Sequence, residues 1–142
     1  MRRRDGEFDH EVAAWDGGAA QSVRPCFARA RGELLQCAAL RRIESRESTL
    51  DLSGLGLSAV APGAFDGLAN IETLLLNDNA LTAFDPRSLS GLRALRNLAL
   101  NANRLNATSL PARAFAAAPS LEQIDLGDNA FATLDRRLFE GL

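Results

Sequence analysis

The feature that most restricts how this chain folds is a self-similar pattern that recurs about every 24 residues from about residue 48 onward. Each copy opens with two apolar residues separated by one other residue. These pairs begin at Leu50, Leu74, Leu98 and Ile124, at intervals of 24, 24 and 26 residues. A fixed period of this length predicts units that cannot bury their apolar side chains alone and that form a core by stacking on their neighbours.

The second half of each unit repeats as well. Its apolar positions are Val60, Phe65, Leu68 and Ile71; Phe84, Leu89, Leu92 and Leu95; Leu110, Phe115, Ala118 and Leu121; and Leu134, Phe139 and Leu142. The pattern divides the chain into a leader at 1–24, a cap segment at 25–48 and four repeats, numbered 1 to 4, at 49–72, 73–96, 97–122 and 123–142, the last incomplete.

In repeat 2, the run Leu74-Leu-Leu76-Asn-Asp-Asn79-Ala-Leu81, followed by the apolar tail, resembles the typical 24-residue class of leucine-rich repeat. Four copies in register cover roughly two thirds of the chain. The resemblance implies a right-handed α/β solenoid. Each repeat would contribute one short parallel strand to a sheet on the concave face and an irregular or turn-like segment to the convex face.

The residue pattern supports this fold independently of the resemblance. Leu74 and Leu76 alternate with Thr73, Leu75 and Asn77. Alternation with a period of two places the two leucines on the buried face of a short strand and the other side chains on the opposite face.

An asparagine recurs where three of the repeats leave the strand, at Asn79, Asn103 and Asn129. An amide side chain both donates and accepts, so we expect these residues to pair backbone groups that would otherwise be buried without partners. Repeat 1 has Leu55 at this position, so the asparagine ladder is expected to begin at Asn79.

Two cysteines, Cys26 and Cys37, precede the repeats and allow either one disulfide bond or two free thiols. With a short strand predicted at residues 33–37, they resemble a reduced form of the amino-terminal cysteine cap of secreted leucine-rich repeat proteins, which usually carries four cysteines. The resemblance favours the disulfide. It would close a loop of about 12 residues and stabilise the fold by about 2–3 kcal/mol.

Both ends of the chain indicate a fragment of a longer protein or an incomplete gene model. Acidic residues follow the arginines at 2–4 where a signal peptide needs an apolar run, so no signal peptide is expected in this chain. The leader lacks periodicity and is expected to be mobile. The sequence stops within the tail of repeat 4, which would leave Leu126, Leu134 and Phe139 facing water. Membrane anchoring of the parent protein stays open.

Charge and motif content argue against several function classes. The net charge of −2 and the pI of about 5.4 do not favour nucleic acid or an anionic membrane as partners. No apolar run approaches the roughly 18 residues of a spanning helix, so membrane insertion of this segment is not expected. His10 lies between Asp9 and Glu11, but adjacent residues need a scaffold to converge on a metal. We expect no enzyme activity, cofactor or metal.

The run Asn106-Ala-Thr108 fits the N-glycosylation acceptor rule and lies in the two-residue insertion of repeat 3. The extra length predicts a protruding loop in which Asn106 is accessible. With the cysteine cap, this sequence favours an extracellular or cell-surface location. The alternative is a cytoplasmic protein in which the cysteines stay reduced and Asn106 is unmodified.

Side chains that alternate with the buried leucines are expected to form a binding surface on the concave face. The candidate contact residues are Asp51, Thr73, Leu75, Asn77, Asn97, Asn101, Gln123 and Asp125. The flanking charges are Glu72, Asp78, Glu122 and Asp128 against Arg96. This acidic balance predicts a protein ligand that is basic or rich in hydrogen-bonding groups. The alternatives are a solvated surface in a structural or adhesive spacer, and a cytosolic interaction protein.

Overall fold

The computed structural model describes residues 27–28, 33–34 and 48–142, so the leader, both cysteines and His10 lie outside the described residues. Its strands are β1 (Phe27–Ala28), β2 (Glu33–Leu34), β3 (Thr49–Asp51), β4 (Ala59–Val60), β5 (Thr73–Leu75), β6 (Asn97–Ala99) and β7 (Gln123–Asp125). Two 3₁₀ helices span Pro86–Leu89 and Arg136–Phe139. The predicted α/β class led us to expect helical segments. In the described residues these segments are short 3₁₀ helices rather than α-helices.

A parallel sheet joins the four repeats, as the sequence predicts. Its order is β3-β5-β6-β7, with one strand from each repeat. The strands pair without a register shift, so that Leu50, Leu74, Leu98 and Ile124 lie side by side. Successive side chains of a strand point to opposite faces of the sheet. Since this apolar row lies on one face, the residues before and after it in every strand lie on the other face.

The core lies directly beneath the sheet. Leu50, Leu74 and Leu98 are at most 2% exposed, and the second leucine of each pair is fully buried in the first three repeats. Each such side chain stabilises the fold by about 1.5–3 kcal/mol when it is removed from water. Stacking of one leucine layer on the next therefore fixes the spacing and direction of the strands above it.

A second column of the core lies behind the leucines. Phe65, Leu89 and Phe115 are fully buried at equivalent positions of repeats 1 to 3. The ring of Phe139 stacks on that of Phe115 with centroids 6.0 Å apart. The repeats approach so closely here that a Cβ atom added at Gly91 would lie 2.6 Å from the carbonyl oxygen of Phe65. A larger residue at Gly91 would force the first two repeats apart.

The rear of the repeats is more regular than the sequence predicts. A second sheet has the order β1-β2-β4, in which β1 and β2 are antiparallel and β2 pairs in parallel with β4 of repeat 1. Residues 33–34 of the strand predicted at 33–37 thus form β2. The pairing joins the cap segment to the rear of repeat 1, where only irregular structure was expected.

The rear segments also alternate in type. Repeats 1 and 3 contain turns at 62–67 and 112–117, whereas repeats 2 and 4 contain the two 3₁₀ helices. Each helix follows an aspartate whose side chain accepts a hydrogen bond from the backbone N–H two residues later, Asp85 from Arg87 and Asp135 from Arg137, both at 2.9 Å. These aspartates satisfy a donor that the first turn leaves unpaired.

The asparagine side chains bond to backbone groups of two successive repeats. Asn103 is 9% exposed, and its Nδ2 donates to the carbonyl oxygens of Leu76 and Leu100, each at 3.0 Å. Its Oδ1 accepts from the N–H of Leu81 at 3.0 Å. Asn79 and Asn129 make the equivalent contacts one repeat earlier and one repeat later.

Repeat 1 lacks an asparagine at this position, and its backbone bonds to Asn79 of repeat 2 instead. Leu55 is buried, and its backbone N–H donates to Oδ1 of Asn79 at 3.0 Å. The residue before each of these positions has a positive φ, with values of 66° at Gly54, 57° at Asp78, 54° at Ala102 and 51° at Asp128. All four repeats therefore leave the sheet through the same left-handed turn residue.

Replacement of a ladder asparagine should weaken the fold strongly. In Asn103→Ala the N–H of Leu81 loses its buried acceptor, and the carbonyls of Leu76 and Leu100 each lose one of two asparagine donors. We expect a loss of about 2–3 kcal/mol in the free energy of unfolding. The matched control is Asn101→Ala, which removes a half-buried amide from the opposite side of the sheet. Urea unfolding followed by circular dichroism should give a change within about 0.5 kcal/mol for the control. Similar losses in both variants would contradict the structural role of Asn103.

The capping aspartates give the stability a definite pH dependence. The hydrogen bonds from the Arg87 side chain, and then from its backbone N–H, lower the pKa of Asp85 from its ordinary value of 3.8, and Arg137 acts in the same way on Asp135. A carboxyl whose pKa is lower in the folded state stabilises the fold above its ordinary pKa. This contribution is lost as the pH falls through the lowered value.

We therefore expect Asp85→Asn, which keeps an acceptor for the cap, to show a smaller fall in melting temperature between pH 5 and pH 2.5 than the parent protein. The effect should be small because the ion pair is exposed. Asp66→Asn, in the turn behind repeat 1, serves as the control. An unchanged pH profile for Asp85→Asn, measured by differential scanning calorimetry, would contradict the assignment.

Candidate functional site

The outward side of the four-stranded sheet brings together the side chains that the sequence marked as candidate contacts. Register aligns them in three rows: Thr49, Thr73, Asn97 and Gln123; Asp51, Leu75, Ala99 and Asp125; and Ser53, Asn77, Asn101 and Gly127. We call these twelve residues the sheet face. All eight predicted contact residues belong to it, so the structure places them on one continuous surface.

The sheet face is a shallow surface. Leu75, Asn97 and Ala99 on the two central strands are half-buried, whereas Gln123 and Asp125 on β7 are exposed. The central side chains are flanked by strands on both sides, and β7 has a neighbour on one side in the described residues. The exposed polar groups therefore lie on the two outer strands, Thr49 on β3 and Gln123 and Asp125 on β7.

Several polar groups of the sheet face are already oriented by local hydrogen bonds. Oδ1 of Asp51 accepts from both the backbone N–H and the hydroxyl of Ser53, at 3.0 and 2.6 Å. Oδ1 of Asp125 accepts from the N–H of Gly127 at 2.9 Å. Such bonds reduce the side-chain entropy that a partner would otherwise have to remove on binding.

Nδ2 of Asn97 donates to Oγ1 of Thr73 at 3.2 Å, across the gap between β5 and β6. This bond tilts the amide towards β5 and away from β7. Oδ1 of Asn97 accepts no hydrogen bond in the described part of the chain, so it is an available acceptor.

The charges on and beside the sheet face are mostly negative. Among the described residues, the strands, the residue before each strand and the left-handed turn after it carry Asp51, Glu72, Asp78, Glu122, Asp125 and Asp128, with Arg96 as the cation. Arg96 contacts Glu122 at 2.7 Å, but both side chains are more than half exposed. An exposed pair of this kind contributes little to stability, and Arg96 neutralises one of six carboxylates.

A depression opens in the second row because one of its residues is small. Ala99 lies between Leu75 and Asp125, and the space above it has a volume of about 230 Å³. Asn97 and Gln123 border the same space. Ala99 is not among the candidate contacts predicted from the sequence. The sequence signal that could have indicated this depression is the small side chain of Ala99, because an alanine in a row of larger residues leaves a gap.

A larger groove lies on repeat 4 and meets the sheet face only at Gly127. It has a volume of about 560 Å³ and is lined by apolar groups that include Ile124, Phe131 and Leu134. Leu134 is 48% and Phe139 38% exposed, as expected from the sequence, whereas Leu126 is half-buried. The groove is a continuation of the core that stacks the repeats, so its apolar character follows from the repeat itself.

The insertion in repeat 3 forms a turn that exposes Asn106. Oδ1 of Asn106 accepts from the backbone N–H of Thr108 at 2.9 Å and from its hydroxyl at 2.7 Å. Ser109 anchors the turn, because its hydroxyl donates to the carbonyl of Thr82 in repeat 2 at 2.6 Å. Asn106 and Thr108 are both exposed, so the acceptor sequence lies on an ordered surface turn.

The described residues contain no group of three His, Cys, Asp or Glu side chains arranged to bind a metal ion. Within the same part of the chain, no helix has the length and apolar character needed to cross a membrane.

The regular period, the parallel sheet and the shared asparagine contacts define this region as a stack of repeats with the pattern of a solenoid. Residues 48–105 match the family described as Leucine rich repeat. The predicted repeat is thus confirmed for repeats 1 and 2 and for the strand and turn of repeat 3. A comparison with curated proteins finds no match to the chain. Leucine-rich repeat segments generally act as protein-interaction modules, because stacked repeats create extended binding surfaces.

Proposed function

We propose that this chain recognises a protein partner and that the sheet face, as the concave side of a right-handed solenoid, is the binding surface. The main support is the alignment of four parallel strands in one register, which presents twelve outward side chains on one continuous surface. Stacked repeats are commonly used in this way because their shape creates extended surfaces without any catalytic group.

The partner surface that fits best is basic. Six carboxylates and one guanidinium lie on or beside the sheet face in the described residues, and Arg96 is paired with Glu122. Complementary charge speeds association and discriminates against acidic partners. The polar groups at Gln123 and Asp125 would supply hydrogen bonds at the more exposed side of the surface.

The area of the sheet face limits its affinity. Strands about 4.8 Å apart span about 15 Å over three gaps, and four residues add about 13 Å along the strands. The product is well below the roughly 800 Å² that each partner contributes to a stable interface. High affinity would therefore require neighbouring surfaces, further repeats or a dimer.

The proposed location is extracellular or on the cell surface. It is supported by the exposed acceptor turn at Asn106 and by the resemblance of the segment around Cys26 and Cys37 to a cysteine cap. The alternative is a structural or adhesive spacer, or a cytosolic interaction protein, and the absence of an aromatic side chain from the sheet face favours such a weakly binding surface.

Charge reversal on the sheet face should remove partner capture. The immobilised chain would be used to isolate its partners from cell-surface extracts, which would be identified by mass spectrometry. We expect Asp51→Arg/Asp125→Arg to lose the captured proteins, because two attractive charges become repulsive. The control, Asp66→Arg/Glu140→Arg, makes the same change in net charge behind the core and should retain them. Unchanged capture by the sheet-face variant would rule out this surface as the binding site.

The location has a separate test. The chain would be expressed in eukaryotic cells behind an added signal peptide, and the secreted protein would be treated with a glycosidase that removes N-linked glycans. We expect a mass loss that Asn106→Gln abolishes. Thiol alkylation of the same unreduced material should modify neither Cys26 nor Cys37 if they are bridged. Secreted protein with an unmodified Asn106 and two alkylated thiols would contradict the extracellular proposal.

A further inference from the structure

The depression above Ala99 differs from the rest of the sheet face in combining an apolar wall with unused hydrogen-bond acceptors. Leu75 stands on one side of it and Asp125 on the other, two strand spacings or about 9.6 Å apart. The methyl group of Ala99 forms part of the floor. A side chain that fills this space must be apolar along its length and polar at its tip.

The polar side of the depression requires a donor with positive charge. Oδ1 of Asp125 already accepts a hydrogen bond from the N–H of Gly127. Oδ2 of Asp125 accepts none in the described part of the chain. Asn97 and Gln123 both line the space, and because Asn97 donates its Nδ2 to Thr73, its oxygen is the polar atom left for a partner. Gln123 is exposed. These groups together offer several acceptors around one carboxylate.

We propose that the depression above Ala99 binds an arginine side chain of the protein partner. Its methylene groups would pack on Leu75 and Ala99, and its guanidinium would donate to Asp125 and to the oxygens of Asn97 and Gln123. A guanidinium has five donors in a plane, which matches several acceptors around a shallow floor better than the compact ammonium of lysine. This inference rests on the proposed function and adds to it the chemistry of one anchoring contact.

The size and surroundings of the depression favour a single side chain as the occupant. A volume of about 230 Å³ is below the usual 300–1,000 Å³ of sites for drug-sized molecules. The flanking carboxylates exclude an acidic residue. Asp51, on the opposite side of Leu75, does not line the depression and is half-buried, whereas Asp125 is exposed.

The contact is small enough to be tested with a minimal probe. The ¹⁵N-labelled full chain would be titrated at low salt with N-acetyl-arginine-N-methylamide, and binding would be followed through the amide signals in two-dimensional NMR spectra. We expect saturable shifts concentrated at Ala99, Asp125 and the side-chain amide of Gln123. The corresponding citrulline derivative, which is neutral but similar in shape, should bind at least about threefold more weakly, as expected for loss of one exposed charge pair.

Three variants separate this contact from general attraction. Asp125→Asn should weaken binding of the arginine probe by about threefold, whereas Asp51→Asn, with the same charge change in the same row, should have little effect. Ala99→Leu should abolish binding because its side chain fills the depression, and its spectrum would show whether the fold is preserved. Shifts spread evenly over all carboxylates, or binding that survives Ala99→Leu in the folded protein, would each overturn the proposal. Tighter binding of N-acetyl-lysine-N-methylamide, titrated in the same way, would also overturn it.

The same variants distinguish this proposal from the proposed function. If Asp51→Arg/Asp125→Arg loses the captured partner but folded Ala99→Leu retains it, the sheet face is the binding surface and the arginine contact is wrong. If the charge-reversed variant retains the partner, the proposed binding surface fails, whatever the small probe does. Loss of the partner in both variants, together with localised shifts by the arginine probe, would support both.

Discussion

Stacking of one leucine layer on the next is the interaction on which the rest of the structure depends. A single repeat has three strand residues and a short rear segment, which is too little to enclose a core. Leu50, Leu74 and Leu98 become buried because the adjacent repeats cover them. Since the same contact sets the strand spacing, it also determines how far apart the outward side chains lie. The candidate binding surface is therefore a consequence of core packing on its other side.

The asparagine ladder allows this stacking to continue through the turns. Where the chain leaves a strand beside the core, its backbone N–H and C=O groups are no longer paired within the sheet. Burying these groups without other hydrogen-bond partners costs free energy. Asn103 meets this need for two repeats at once, because its Nδ2 bonds to carbonyls in both. Repeat 1, which has Leu55 instead, depends on Asn79 of repeat 2. The contacts between repeats are thus polar at the turn and apolar in the core.

The sequence predicted the features that repeat and missed those that depend on contacts between unlike residues. The period alone indicates the parallel strands, their buried leucines and the positions of the ladder asparagines. The pairing of β2 with β4 could not be predicted, because Ala59–Val60 carries no marked strand pattern and its partner lies outside the repeats. The tilt of Asn97 towards Thr73 also escaped prediction, since it depends on which residue occupies the equivalent position 24 residues earlier. The cysteine cap stays a prediction.

In a structure built from copies, a residue that departs from the pattern without supporting the core is the best indicator of function. Leu55 departs from the pattern, but it is buried and its N–H is paired, so it has a structural explanation. The insertion at Asn106 is not needed for stacking, because repeats 1 and 2 close without it. Ala99 lies on the outward side, where a larger side chain would meet open space rather than the core. Core packing therefore does not account for its small size, whereas a depression beside a carboxylate has a direct use in recognising a cationic side chain.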